Sequence, residues 1–229
     1  MPGAIIVGNS DGIGLALTEL LLGEGWQVSG VSRSAARVTH RTYQHHILDV
    51  CHADYAQRLG QIVAAEGALD ALVYSVGIGE FLDGETLATE RQVFEANLIG
   101  AVATAQVILP HFSRAGRGHF IGLSSQGDGL VDPRAPSYAA SKAGLSTYLE
   151  GLALAYRPRG IFVTNVRFGF VDTKMAKAPL RPFMISPQEA AARVRHCLRT
   201  RPIVYTYPKR MAVLLWLLRC GRALRLWFS

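Results

Sequence analysis

Ala4-Ile5-Ile6-Val7-Gly8-Asn9-Ser10-Asp11-Gly12-Ile13-Gly14 is the stretch whose reading decides the fold. A short apolar run stops at a glycine, two more glycines follow, and an amphipathic segment runs from Leu15 to Gly23. Such a run ending in glycine reads as a buried strand, and the periodicity after the turn reads as a helix. Glycines there let the main chain pass close to a pyrophosphate, whose charge then rests on amides at the helix N-terminus. A tight turn that holds nothing is the plainer alternative, and the strand–turn–helix context weighs against it. The spacing of Gly8, Gly12 and Gly14 is G-x-x-x-G-x-G, not the more widespread G-x-G-x-x-G.

Outward from this unit the alternation repeats. Trp26 to Val31 reads as a second strand, and Ile47-Leu48 ends a third, followed by Asp49-Val50 and a helix over about 52–66. Asp70 to Val76 reads as a fourth strand closing on Gly77, and a long helical stretch covers about 89–114. His119 to Leu123 delivers Ser124-Ser125; the glycine- and proline-rich loop 126–136 leads to a helix with Tyr138; Ile161 to Val166 is the next strand. Ser186-Pro187-Gln188-Glu189 is a helix start with a Ser cap, Pro in the first position and Glu three residues after the cap, and Ile203 to Tyr205 suits a last strand. Strands alternating with helices predict a Rossmann-like, doubly wound parallel sheet of about seven strands with helices on both faces. No repeat, linker or low-complexity segment divides the chain, so residues 1–229 are expected to form one domain.

Half of the 229 residues are apolar and fewer than a fifth are charged, which excludes a disordered chain. Cys51, Cys197 and Cys220 are odd in number and have no paired spacing for a metal, so reduced thiols are expected. Met1-Pro2-Gly3 leads into the first strand without the basic segment of a secretory leader, and a cytoplasmic location is the expectation. The net charge of +7 is uneven: residues 1–173 carry 12 basic and 16 acidic side chains, residues 174–229 carry 12 and 1.

Tyr138 and Lys142 stand four apart in a helical segment and so share a face. An ammonium beside a phenol pulls a pKa of roughly 10 towards neutrality and makes a proton donor for a carbonyl oxygen. Such a pair is common surface decoration; Ser124-Ser125 just upstream and the glycine turn are what distinguish it. At the end of the second strand, Ser32-Arg33-Ser34 offers an arginine where an acid would bind a ribose 2′-hydroxyl, with Arg37 nearby and no acid between residues 30 and 48. That favours a 2′-phosphate, hence NADP(H) over NAD(H). Asp11 dissents, either repelling that phosphate or pairing with Arg33.

Together these motifs resemble the short-chain dehydrogenases/reductases in their single-domain form, over nearly all of residues 4–173. The resemblance implies an oxidoreductase that moves a hydride between nicotinamide and a carbonyl or secondary alcohol. Asn97, Ser125, Tyr138 and Lys142 match the family's catalytic tetrad: Tyr138 as acid/base, Lys142 lowering its pKa and holding the nicotinamide ribose, Ser125 bonding the substrate oxygen, Asn97 holding a water. Gly8, Asn9, Ser10, Asp11, Gly12, Ile13 and Gly14 match the cofactor turn. Ser32, Arg33, Asp49, Val50, Gly77, Gly169, Val171 and Thr173 complete the expected cofactor contacts, with Asp49 at the adenine. The chain departs from the family at Val7 (usually Thr), at Tyr74-Ser75-Val76 (usually Asn-Asn-Ala) and at Phe168 (usually Pro). A homodimer or homotetramer is implied. A dinucleotide-binding redox sensor or scaffold of the same fold, without turnover, is the alternative.

Leu130, Val131, Phe168, Phe170, Met175 and Phe183 are the candidates for an apolar substrate pocket. Met211 to Leu218 is apolar all round, flanked by Lys209-Arg210 and by Arg219, Arg222 and Arg225. It is too short to span a bilayer. A helix over 209–229 packed on the domain or a partner subunit is the first expectation. Peripheral contact with anionic lipid, helped by Trp216, Trp227 and Phe228, is the rival. No nucleic-acid-binding module is present.

Overall fold

A strand buried on both sides must be apolar at every position, because alternate side chains enter different cores. β1 (Gly3–Val7) is such a strand: Ile5 and Val7 join one core, Ala4 and Ile6 the other. A computed structural model describes residues 1–35, 37–82, 87–176 and 180–216. After β1 come α1 (Gly12–Gly23), β2 (Gln27–Ser32), β3 (Tyr43–Ile47), α2 (Tyr55–Ala65) and β4 (Ala71–Tyr74). Then follow α3 (Glu90–Phe94), a π turn (Glu95–Ile99), α4 (Gly100–Ala115), β5 (Gly118–Ser125), α5 (Pro136–Tyr156), β6 (Ile161–Phe168), α6 (Pro187–Thr200) and β7 (Val204–Tyr207).

All seven strands are parallel, in the order β3-β2-β1-β4-β5-β6-β7. Leu17 and Leu21 of α1 and Val194 of α6 pack on one face of the sheet. Leu59 of α2, Ile108 and Phe112 of α4, and Leu145 and Leu149 of α5 pack on the other. This is the doubly wound sheet that the alternation predicts. The order reverses between β1 and β4, so the crevice beyond their carboxyl ends is where such a sheet binds a ligand.

Three local differences from the sequence reading bear on the site. The stretch read as one helix over 89–114 contains the π turn Glu95–Ile99, with Asn97 in it. β4 stops at Tyr74, because the Ser75 hydroxyl donates back to the Val7 carbonyl at 2.7 Å. The loop after β5 holds a 3-10 turn, Gln126–Gly129, begun by the Gly127 amide donating to Ser125 Oγ at 3.0 Å.

Residues 209–216 are helical, and Met211 and Leu215, four apart, are buried. Val213, Leu214 and Trp216 are exposed, so this turn is not enclosed on every side as its composition predicts. Arg219, Arg222, Arg225, Trp227 and Phe228 lie outside the described residues.

Candidate active site and family

Beyond the end of β1 the chain makes the glycine turn. Gly8 has φ +92°, a left-handed conformation that side chains resist, and its amide donates to the Val31 carbonyl at 2.7 Å. A Cβ on Gly14 would stand 2.3 Å from the Gly8 carbonyl oxygen, so only glycine lets α1 start this close to β1. Asp11 caps α1 by accepting from the Gly12 amide at 2.8 Å and pairs with Lys174 at 2.7 Å. Lys174, then the Gly12 amide, hold its carboxyl below the ordinary range. Of the two readings of Asp11, pairing with Arg33 is replaced by pairing with Lys174, which comes from the segment after β6 that crosses over the glycine turn. Thr173 lies there too, its methyl 3.1 Å from where a Cβ on Gly12 would be.

The end of β2 carries the adenosine-side candidates. Ser32 is buried and donates to the Ser34 carbonyl at 2.7 Å, while Arg33 between them is exposed. Asp49 Oδ1 accepts from the Cys51 amide at 2.9 Å, and Val50 packs against Gly100. Burial, then Asp49, push the Cys51 thiol up, and Arg33 opposes them, which places its charge near the end of β3. Asn9 is fully buried, and its Oδ1 has no hydrogen-bond partner among the described residues. An orphaned buried acceptor inside a glycine cradle fits a dinucleotide with its ribose hydroxyls.

Ser125 ends β5, and Tyr138 and Lys142 project from the first turns of α5, which Pro136 starts. The Ser125 hydroxyl takes the Gly127 amide on its oxygen and hydrogen-bonds the Tyr138 phenol. Lys142 is buried, and its Nζ donates to the Leu123 carbonyl at 2.9 Å. Gly77 lies against it, since a Cβ there would be 3.4 Å from Lys142 Nζ, and a Cβ on Gly79 would be 3.3 Å from the Tyr138 ring. Asn97 accepts from the Ile78 amide at 2.8 Å and donates to the Ile78 carbonyl at 2.9 Å and to Ser141 Oγ at 3.0 Å. The four residues are therefore brought together, and Asn97 clamps the loop that passes over Lys142 and Tyr138.

The electrostatics correct one expectation. Desolvation pushes the Tyr138 phenol above its ordinary value; the Ser125 hydrogen bond opposes this and the Asp128 carboxylate adds to it. Burial brings the Lys142 ammonium down to about 8. One Lys142 N–H is bonded to the Leu123 carbonyl, and burial, not the lysine, dominates the Tyr138 phenol within the chain itself.

Asp128 was not picked out from the sequence. It lies in the 3-10 turn, bonded to the Ser146 hydroxyl at 2.6 Å and to Arg167 at 2.6 Å, and Ser146 is 2.7 Å from the Ser124 hydroxyl. Arg167 faces Ser124 across β5 and β6, a register that only the folded sheet reveals.

Of the pocket candidates, Phe168 is core, 3% exposed, packed among α1 and α6 residues. Met175 touches the space beside Gly77 and Gly79, and Val131 and Phe183 are exposed on loops after β5 and β6. Leu130 and Phe170 are half-buried on the same two loops, Val171 is buried, and Gly169 donates to the Tyr207 carbonyl at 3.0 Å. An open groove lined by Phe81, Leu82, Pro133 and Arg134 lies between the loops after β4 and β5. Phe81 and Leu82 carry no local motif, which is why they were missed.

The short chain dehydrogenase family matches residues 3–181. An uncharacterized oxidoreductase of Myxococcus xanthus is 30% identical over 92% of this chain and 88% of its own length. A short chain dehydrogenase from Burkholderia cenocepacia in complex with NADP superposes with a TM-score of 0.83 at 21% identity, over 97% of this chain and 96% of that one. A 4-hydroxyisoleucine dehydrogenase complexed with NADH superposes with a TM-score of 0.81 at 16% identity, over 90% of this chain and 96% of that one. The match across most of the chain, on a seven-stranded parallel sheet with Ser125, Tyr138 and Lys142 gathered at its carboxyl edge, shows that this chain belongs to the short-chain dehydrogenase family.

Proposed function

We propose that this oxidoreductase uses NADP(H) and acts chiefly as a reductase of an apolar carbonyl, with Tyr138 as the proton donor. The observation that carries the reading is the gathering of Ser125 at the end of β5 with Tyr138 and Lys142, one helical turn apart on α5, beside Gly77 and Gly79. When bound, the nicotinamide supplies or accepts the hydride. Ser125 donates a hydrogen bond to the substrate oxygen, keeping its own proton, and stabilises the charge that grows there as the carbonyl is reduced. Tyr138 transfers its phenolic proton to that oxygen, and Lys142, whose proton is held loosely at about 8, restores it. Asn97 keeps the Ile78 loop in place over the pair. Gly8, Gly12 and Gly14 leave room for the pyrophosphate, and Asp49 and Val50 border the adenine.

The preference for NADP(H) rests on Arg33 and Arg37 and on the absence of an acid between residues 30 and 48. Structures of this fold bind NADP and NADH alike, so the fold by itself does not make the choice. The oligomer is read as a homodimer or homotetramer and the location as cytoplasmic, with 209–229 packed on the domain or a partner subunit as the first reading and peripheral lipid contact as its rival.

The test is loss of reduced-nicotinamide absorbance with NADPH and with NADH, against pooled aldehydes, ketones and quinones, with Tyr138→Phe beside the wild type. Turnover with NADPH, reduced by several orders of magnitude in Tyr138→Phe while NADPH affinity is kept, is expected. Tight NADPH binding without turnover on any carbonyl would replace the enzyme with a sensor; equal loss of NADPH binding in Tyr138→Phe would remove the acid role.

A further inference from the structure

A line of hydrogen bonds crosses the first three strands at their adenosine end. Asn9 Nδ2 donates to Tyr43 Oη at 2.7 Å, Tyr43 Oη lies 2.7 Å from His45 Nδ1, and His45 Nε2 lies 3.0 Å from the Ser34 carbonyl oxygen. The two ends dictate where the protons sit. A carbonyl only accepts, so His45 Nε2 carries the hydrogen; in the neutral ring Nδ1 then accepts, and the Tyr43 hydroxyl is its donor. The tyrosine oxygen takes the Asn9 amide in turn. One tautomer and one direction satisfy every bond in the line.

The line exists because β2 has a glycine beneath it. A Cβ on Gly30 would stand 2.1 Å from Asn9 Nδ2 and 2.5 Å from Tyr43 Oη. At the far end the Ser34 carbonyl is held twice, by His45 and by the Ser32 hydroxyl at 2.7 Å. Arg33 lies between those two serines, and Asn9 belongs to the glycine turn. The line therefore ties the pyrophosphate cradle to the turn that carries the arginine.

We propose that Tyr43 and His45 are positioning residues for cofactor selection: they hold the Ser32–Ser34 turn in shape before a 2′-phosphate arrives at Arg33. This rests on the NADP(H) reading above. A turn fixed beforehand spares the bound phosphate the ordering of main chain and arginine, so the gain falls on the ligand that carries the 2′-phosphate.

The experiment is calorimetric titration of the full chain with adenosine 2′,5′-bisphosphate and with adenosine 5′-monophosphate. Wild type, His45→Leu and His45→Gln are compared. The wild type is expected to prefer the bisphosphate. His45→Leu is expected to weaken the bisphosphate about tenfold, the worth of one well-placed hydrogen bond, and the monophosphate by less than about twofold. His45→Gln, which still accepts and donates, is expected to recover part of the loss. Equal weakening of both ligands by His45→Leu, or of neither, overturns the inference while leaving the cofactor reading intact. A wild type without preference for the bisphosphate overturns the cofactor reading itself and this inference with it.

Discussion

Replacing Lys142 by Met should stabilise the fold at neutral pH while removing the group on which turnover is proposed to depend. Burial takes the Lys142 ammonium from its ordinary 10.5 down to about 8, and the side chain is 2% exposed, so solvent screening does little to soften the effect. At about 1.4 kcal/mol per unit, holding the charge in place below pH 8 costs about 3 kcal/mol. The sign follows from proton counts. Between pH 8 and 10.5 the unfolded chain keeps its proton and the folded chain releases it, so stability rises with pH across that window. Met has the unbranched shape but neither charge nor donor, and the lost bond to the Leu123 carbonyl takes back about 1 kcal/mol. The variant is therefore expected to be about 2 kcal/mol more stable than wild type near pH 7. By about pH 10 the difference should shrink by about 2 kcal/mol, so that little of it remains. Urea unfolding of both proteins at the two pH values reads it. The pH dependence of the difference isolates the ammonium from whatever Met does to packing. A gap that stays constant with pH would refute the reasoning.

Asp128→Asn should destabilise by about 1–3 kcal/mol, because it removes the charge opposite a guanidinium that is 23% exposed, and adding Arg167→Gln should recover much of that loss; an unchanged unfolding midpoint in the single variant would show the pair to be idle. The same substitution removes a charge that raises the Tyr138 phenol, so the alkaline limb of the reductive rate profile should move to lower pH. Lipid contact through 209–229 predicts that anionic vesicles pellet the full chain but not one ending at residue 208, and equal pelleting of both ends that reading.

What local pattern carries was legible, and what distant pairing carries was not. β1, the glycine turn and α1 announce themselves because glycine tolerance and apolar period are properties of neighbouring residues. Tyr138 and Lys142 are visible for the same reason, since helical spacing alone puts them on one face. The π turn around Asn97 is invisible in the sequence because its driver is Ile78, 19 residues away. The partner of Asp11 is Lys174, on the far side of the sheet's last crossover but one, a partner that local reading, which weighed only the nearer Arg33, does not reach. Phe168 reads as a pocket residue by position after β6, yet the pleat turns it into the core with α1 and α6. Lys142 reads as the activator of Tyr138, yet burial, which no spacing shows, decides both groups.

That burial bears on the direction of the proposed reaction. A phenol raised above its ordinary value keeps its proton throughout the neutral range, and the protonated phenol is the form that serves carbonyl reduction. Oxidation of an alcohol would need the opposite, a phenolate ready to take a proton, and the chain's own groups work against it: desolvation and Asp128 both favour the neutral form. Ser125, whose oxygen accepts the Gly127 amide, works the other way, lowering the Tyr138 phenol without cancelling the effect of burial. Lys142, at about 8, is still mostly protonated at neutral pH and can replace the proton that Tyr138 gives away. The proposed preference for NADP(H), which rests on Arg33 and Arg37, points to reduction by a separate route.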